Sequence, residues 1–293
     1  MAGAAPKVAG AIERVTIVGA GLIGASVALA LRRALPGCRI TGVDPDRAVR
    51  DALVPAIADA ATDDLAEGVR DAQLVFVACP VGAMRQAFET IARAAPANCL
   101  VTDCGSTKSS VAVAAEEAFG ADSPRFVAGH PIAGSEGSGP AAARADLFEG
   151  RIWLLCPAGP AQERMAARLG KLLARLGARV ESIHPAAHDA MFAEFSHWPH
   201  AVAFALCASI ADGAFADAAR HFSGAGLRDT TRIGASSAPL WTGILLDNRE
   251  SVLASARRFR EKLDVLEEAL ETSDRAAIEA LFAAASRWRR SVD

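Results

Sequence analysis

One histidine stands where a short apolar run gives way to glycine, in the stretch Phe126 to Gly139, FVAGHPIAGSEGSG. Phe126, Val127 and Ala128 have the length of a short buried strand, Gly129 breaks the run, and a glycine-rich loop follows from His130. A side chain released at a strand end is free to do chemistry, and ligands collect beyond the carboxyl ends of open parallel sheets, so His130 is a candidate site residue. The alternative is a capped or half-buried histidine without chemistry. The sequence DCGSTK places Asp103, Ser106 and Lys108 after another apolar run. Ser106 fits either a site residue or the N-cap of a helix over 109–118, and Lys108 fits a solvated first-turn residue. Cys104, beside them, has no evident activating pair.

Farther along, Glu194, His197 and His200 lie three apart, the spacing of a carboxylate-histidine metal set. The only other ExxH, Glu181 to His184, falls in a strand-like run, so no second set faces the first and no metal is expected. One of His197 and His200 is expected to point into a cleft and the other to be structural. Arg232, in LRDTTRIGASSAPLW before Trp241, has Asp229 and Glu250 as available ion-pair partners.

These groups need a scaffold. Val15 to Val18 is a β-branched run ending in GAGLIG, with Gly19, Gly21 and Gly24 in GxGxxG spacing; a helix-like segment follows at once, and a second strand, Arg39 to Val43, ends in Asp44. In that context the motif reads as a dinucleotide site. Gly19 makes the turn, Gly21 admits the pyrophosphate and Gly24 lets helix and strand pack, while the helix N-terminus at Leu22 and Ile23 faces the phosphates. Asp44 accepts from the ribose hydroxyls and would repel a ribose phosphate, which favours NAD over NADP, although Arg47 is close by. Further strands are expected at Leu74 to Ala78, Leu100 to Asp103, Ile152 to Leu155 and Ala178 to Ile183, with helices over 81–94 and 162–176. The alternation predicts a parallel, doubly wound α/β sheet of Rossmann type, with ligands beyond its carboxyl ends. Pro80 and Asp103, at such ends, join the expected cofactor-binding set.

From Ala186 the period turns helical. The sheet domain is expected to span 1–184 and an all-α domain 185–293. The segment Ala187 to Ala211 is nearly all apolar around EFSHWPH, so burial on more than one side is expected, with a bend at Pro199. Val252, Ala256, Phe259, Leu263, Leu266 and Leu270 repeat with spacing four, three, four, three, four, a coiled-coil-like seam best buried against a second copy. A homodimer is expected, and a final helix over 275–290 completes the domain.

The 293 residues carry a formal net charge of -3 with no Lys/Arg tract, which argues against nucleic acid or an anionic membrane as partner. The longest apolar run is too short to span a bilayer and no signal peptide is evident. Six scattered cysteines without a CxxC pair read as reduced thiols, so a cytoplasmic protein is expected. Tyrosine is absent from the composition.

With VGAGLIG, DCGSTK, GHPIAGSEGSG, HDAMFAEFSHWPHAVAFAL and DTTRIGASSAPLW in hand, the chain resembles the prephenate and arogenate (cyclohexadienyl) dehydrogenases of tyrosine biosynthesis over nearly its whole length. The resemblance implies an NAD-dependent oxidative decarboxylation by a nucleotide-binding domain followed by a helical dimerisation domain. It implies that His130 is the catalytic histidine at the substrate hydroxyl, that Ser106 supports it and that Arg232 binds the ring carboxylate. It also places His200, Ser135 and Glu136 around the substrate, with Trp241 near the site. Gly137, Ser138, Gly139 and Pro140 offer no acidic side chain for the ammonium of arogenate, which tilts the expectation towards prephenate. Alternatives are an arogenate-preferring or dual enzyme, a relative acting on 4-amino-4-deoxyprephenate, and an NAD-binding sensor without turnover. No separate regulatory domain is expected after the helical one.

Overall fold

The computed structural model describes residues 12–134 and 137–292. Continuous apolar runs dictate its first half: strands buried on both faces have no polar side to show, as in β4 (Leu74–Val77), where every residue is buried. In chain order come β1 (Arg14–Val18), α1 (Leu22–Ala34), β2 (Arg39–Val43), α2 (Arg47–Leu53), β3 (Ala60–Thr62) and α3 (Leu65–Val69). After β4 follow α4 (Val81–Ala94), β5 (Leu100–Asp103), α5 (Ser109–Phe119), β6 (Phe126–Pro131), β7 (Ile152–Cys156), α6 (Pro160–Arg175) and β8 (Arg179–Ser182). The strands form one eight-stranded sheet in the order β3-β2-β1-β4-β5-β6-β7-β8. Helices cover both faces. Phe76, Leu31, Trp153 and Leu169 fill one core layer, while Val75, Phe88, Ile91 and Phe126 fill the other.

The sheet is not parallel throughout. Strands β1 to β6 run together, β7 pairs antiparallel with β6, and β8 runs parallel to β7. This reshapes the expected loop at His130. Val101 and Thr102 of β5 pair with Phe126 and Val127, after which Ala128 to Pro131 pair with β7. His130 thus lies within a strand, opposite Leu154, and Gly129 continues the strand instead of breaking it. A Cβ at Gly129 would come within 2.8 Å of the Asp103 carbonyl oxygen, so glycine allows β6 to cross close over β5.

The helical half comprises α7 (Pro185–Phe192), a π-turn (Ala193–His197), α8 (Trp198–Ala211), α9 (Ala219–Phe222), α10 (Ala225–Thr231), a 3-10 turn (Arg232–Ala235), α11 (Ala238–Asp247), α12 (Arg249–Glu271) and α13 (Arg275–Ser291). A π-turn lies just before the position where a bend was expected, and Pro199 sits in the first turn of α8, where its missing N–H costs nothing. Burial of this segment on several sides is not what one chain provides: of α8 only Ala203 is buried. The α12 seam behaves similarly. Val252 and Ala256 are buried and Leu266 is half-buried, but Phe259, Leu263 and Leu270 are 37%, 47% and 61% exposed. Phe282 and Trp288 of α13 are exposed too. No helix among the described residues is long and apolar enough to cross a membrane.

Candidate active site

The glycine-rich turn between β1 and α1 shows which of its glycines are structural. Gly19 has φ +84, and a Cβ there would lie 2.6 Å from the Cys79 amide nitrogen; a Cβ at Gly24 would lie 2.0 Å from the Gly19 carbonyl oxygen. At Gly21 a Cβ would meet nothing within 4 Å. The middle glycine therefore faces open space, at a helix N-terminus that no side chain caps. Uncapped amides and the positive end of the helix dipole suit a phosphate at Leu22, Ile23 and Gly24. Asp44, at the end of β2, accepts from the Ala20 amide through Oδ2 (2.9 Å) and from the Asp46 amide through Oδ1 (3.0 Å). Its carboxylate is thereby aimed with lone pairs to spare, which suits ribose hydroxyls. Arg47 Nε lies 3.6 Å from Asp51, and Pro80 is exposed at the start of α4. These residues fit a dinucleotide.

Asp103 departs from its expected place in this set. Its side chain is 0% exposed, and it accepts from the amides of Gly105 (2.8 Å) and Gly129 (2.9 Å) and from Lys108 Nζ. An ammonium and two amides occupy the carboxylate, so it organises protein and presents no surface to a cofactor. Lys108 is likewise fully buried, in contrast to the solvated first-turn residue expected. Besides Asp103, its Nζ donates to the Gly129 carbonyl oxygen at 2.8 Å. The buried pair therefore grips both polar groups of Gly129 and fixes the backbone leading into His130.

The His130 ring is half-buried against Phe192, with centroids 5.0 Å apart. Its Nδ1 lies 2.8 Å from Nε2 of His188, whose Nδ1 lies 2.8 Å from Asp189 Oδ1. Asp189 also accepts from the amides of Lys108 and Ser109, each at 2.7 Å, and so caps α5 from 81 residues away in sequence. Ser106 does not cap that helix; its carbonyl accepts from His197. Burial, with the Lys108 ammonium and then His188 and His197, holds the His130 pKa well below the ordinary histidine value. Burial also lowers that of His188 and outweighs the opposing bond to Asp189. Burial tends to raise the Asp189 pKa, but its bonds from His188, Ser109 and Lys108 win and keep it below the usual carboxylate range. The cluster is a neutral imidazole pair backed by a carboxylate.

Of the two histidines left open by the sequence, His197 is the structural one. It is 1% exposed, its Nδ1 accepts from Asn248 Nδ2 at 3.1 Å, and burial pushes its pKa down to about 4. The same Asn248 amide donates to the Asp189 carbonyl at 2.8 Å. His200 is half-buried and donates from Nδ1 to the Ser196 carbonyl oxygen at 2.8 Å, which points Nε2 away from its own helix. Its ring stacks on Trp241 with centroids 3.5 Å apart. Burial, and then the nearby Arg232 guanidinium, lower its pKa. Ring contacts run from His130 through Phe192 (5.0 Å), His197 (6.4 Å) and Trp241 (6.2 Å) to His200. These contacts link His130 to Trp241 and His200, and the Arg232 guanidinium lies near enough to His200 to act on its pKa. Ser135 and Glu136 fall outside the described residues.

Glu194 pairs with Arg258 instead of joining its neighbouring histidines. Burial raises the Cys104 thiol pKa well above its ordinary value, which makes it a poor nucleophile. Sequence reasoning missed the roles of His188, Asp189 and Asn248. A visible signal was the adjacent His-Asp pair just after His184-Pro185, where the sheet ends and α7 begins.

Comparison with known proteins gives this arrangement its context. The model of the prephenate dehydrogenase nucleotide-binding domain matches residues 27–182, and that of the prephenate dehydrogenase dimerization domain matches residues 184–284. Prephenate dehydrogenase of Bacillus subtilis is 32% identical over 280 residues, covering 94% of this chain and 75% of the relative. The crystal structure of Aquifex aeolicus prephenate dehydrogenase in complex with hydroxyphenyl propionate and NAD+ superposes with a TM-score of 0.83 at 29% identity, covering 97% of this chain and 100% of the other. Synechocystis arogenate dehydrogenase gives 0.79 at 28% identity, covering 96% and 100%. With both halves matched in order, the chain belongs to the prephenate dehydrogenase family.

Proposed function

We propose that this chain is an NAD-dependent prephenate dehydrogenase, catalysing the oxidative decarboxylation of prephenate to 4-hydroxyphenylpyruvate in tyrosine biosynthesis. The observation that carries the proposal is the placement of His130. A neutral imidazole is fixed beside the carboxyl end of β5 and linked by ring contacts to Trp241 and His200, with Arg232 near His200; we read these groups as one wall of the substrate site. Gly19, Gly21, Leu22, Ile23, Gly24, Asp44 and Pro80 would hold NAD, which would supply the hydride acceptor. His130 takes the proton of the ring hydroxyl as the carbon bearing it is oxidised, and Ser106 supports that contact. The oxidised ring gains aromaticity by losing its carboxylate as carbon dioxide, so the protein's task is to orient the substrate and exclude water. Arg232 fits the ring carboxylate because a guanidinium can form two parallel charge-assisted bonds that fix direction as well as charge. His200, stacked on Trp241, offers a polar nitrogen from the same side, and Ser135 and Glu136 complete the substrate set.

Prephenate is favoured over arogenate because Gly137, Ser138, Gly139 and Pro140 provide no carboxylate for an ammonium. A dual preference remains the second reading, supported by the likeness to an arogenate dehydrogenase. We place the division between sheet and helical domains at 184/185. The uncovered apolar residues of α12 and α13, in the half that matches a dimerization domain, support a homodimer through these helices. Six free cysteines fit the reducing cytoplasm. Purified protein supplied in turn with prephenate and arogenate, each with NAD or NADP, tests the proposal through reduced-nicotinamide absorbance. Fastest turnover with prephenate and NAD is expected, and no signal with either substrate overturns it.

A further inference from the structure

We propose that Asp189 and His188, from the helical half, are positioning residues that hold His130 in the tautomer whose Nε2 is bare and able to accept the substrate proton. The inference deepens the dehydrogenase reading and rests on it for the identity of the base.

The argument is one of donors and acceptors taken in order. An ionised carboxylate only accepts, so the 2.8 Å contact between Asp189 Oδ1 and His188 Nδ1 requires a proton on that nitrogen. A neutral imidazole carries one proton, which leaves His188 Nε2 as an acceptor. That nitrogen lies 2.8 Å from His130 Nδ1, so His130 must donate through Nδ1. The remaining nitrogen of His130, Nε2, therefore carries the lone pair. Asp189 cannot turn away, because the Lys108 and Ser109 amides hold it at the start of α5 and Asn248 Nδ2 holds its own carbonyl. His188 is 0% exposed and stacks on Phe192 with centroids 4.4 Å apart, so its ring is held as well. When His130 accepts the substrate proton, the new positive charge has the Asp189 carboxylate behind it, one imidazole away.

The chain of bonds runs equally well in reverse. An amide at position 189 can donate to His188 Nδ1, which shifts the His188 proton to Nε2 and the His130 proton from Nδ1 to Nε2. That loads the catalytic nitrogen. Asp189→Asn should therefore lower kcat by about 10³- to 10⁴-fold, the size of a wrong-tautomer defect, with KM within about threefold of the unmutated value. His188→Leu should lose the preference for one tautomer. His188→Gln should restore much of it, since its amide oxygen can accept from His130 Nδ1.

The deciding measurement is nitrogen-15 NMR of histidine-labelled full-length protein at neutral pH, alongside kcat and KM with prephenate and NAD. His130 should show a protonated Nδ1 and a bare Nε2 in the unmutated protein and in His188→Gln, and the opposite in Asp189→Asn. Of the groups facing His130 from other elements, Lys108 and Asp103 pair as opposite charges, His188 and His197 are neutral imidazoles, and the Asp189 carboxylate is bonded to His188 and to two backbone amides, so the two nitrogen signals of His130 distinguish a moved proton from an added one. An unchanged tautomer in Asp189→Asn overturns the proposal, as do equal kcat values for His188→Leu and His188→Gln. If Asp189→Asn fails to fold through loss of its cap on α5, the two His188 variants decide by the same readouts. Absence of prephenate oxidation in the unmutated protein would remove the dehydrogenase reading, while the spectra would still test the bonding order.

Discussion

The two ends of the proposed substrate wall are built differently. At one end His130 is held by groups that are themselves immobilised: Lys108 and Asp103 grip the Gly129 backbone that leads into it, and His188 and Asp189 orient its ring, all four buried. At the other end Arg232 is exposed, on a short 3-10 turn between α10 and α11. The difference follows from what each group must do. A guanidinium is charged at any working pH and needs only to be within reach. An imidazole is useful only in one protonation state and one orientation, and both are supplied by its surroundings.

Breaking the wired end should have the larger effects. His130→Asn should lower turnover by about 10²- to 10⁴-fold with KM little changed, as for loss of a general base; steady-state rates with prephenate check this, and an unaltered kcat removes the role. Lys108→Met should leave the Asp103 carboxylate buried without its partner and cost about 3–5 kcal/mol of stability, read from the denaturant midpoint. A pH titration sharpens the same contrast. The unfolded chain protonates its histidines near 6.5, whereas folded His197 resists down to about 4, and His130, His188 and His200 are also held low. Stability should therefore be flat above 6.5 and fall as the pH drops from there towards 4, by about 3 kcal/mol for His197 alone. Thermal unfolding across that range checks the sign, and rising stability on acidification would contradict it. The looser end should give the smallest response: Arg232→Gln should raise KM by about 10- to 100-fold with a modest change in kcat, the loss of one charge-assisted contact. A kcat defect matching that of His130→Asn would mean the two ends are not divided as described.

Much of this architecture is legible in the sequence because it depends on local patterns. The run Leu74 to Val77, the GxGxxG turn and the apolar positions Met84, Ala87, Phe88 and Ile91 of α4 each announce their element without reference to the rest of the chain. Strand β3 has only three residues, Ala60 to Thr62, too few and too bland for any periodicity. Asp64 and Glu67, bonded as a cap, were a usable sign of α3. His130, His200 and Trp241 can be singled out by type and resemblance. What makes His130 specific cannot be found that way, because Asp189 reaches Lys108 across 81 residues and Asn248 reaches His197 across 51. Lys108 misleads for the same reason. A lysine beside serine and threonine reads as solvent-facing until the fold delivers Asp103 and the Gly129 carbonyl to its ammonium.

The change of partner along β6 has a consequence for how this molecule is assembled. Strands β1 to β5 and the glycine turn come from the first 103 residues and can pair among themselves. The outer half of β6 has no neighbour until β7 arrives from Ile152–Cys156 and runs back along it. The ring of His130 waits longer still, for residues 188 and 189. The glycine turn is thus built from strands close in sequence, whereas the base depends on segments from both halves of the chain. The proton acceptor is therefore a property of the joined halves, and the dinucleotide turn a property of the first.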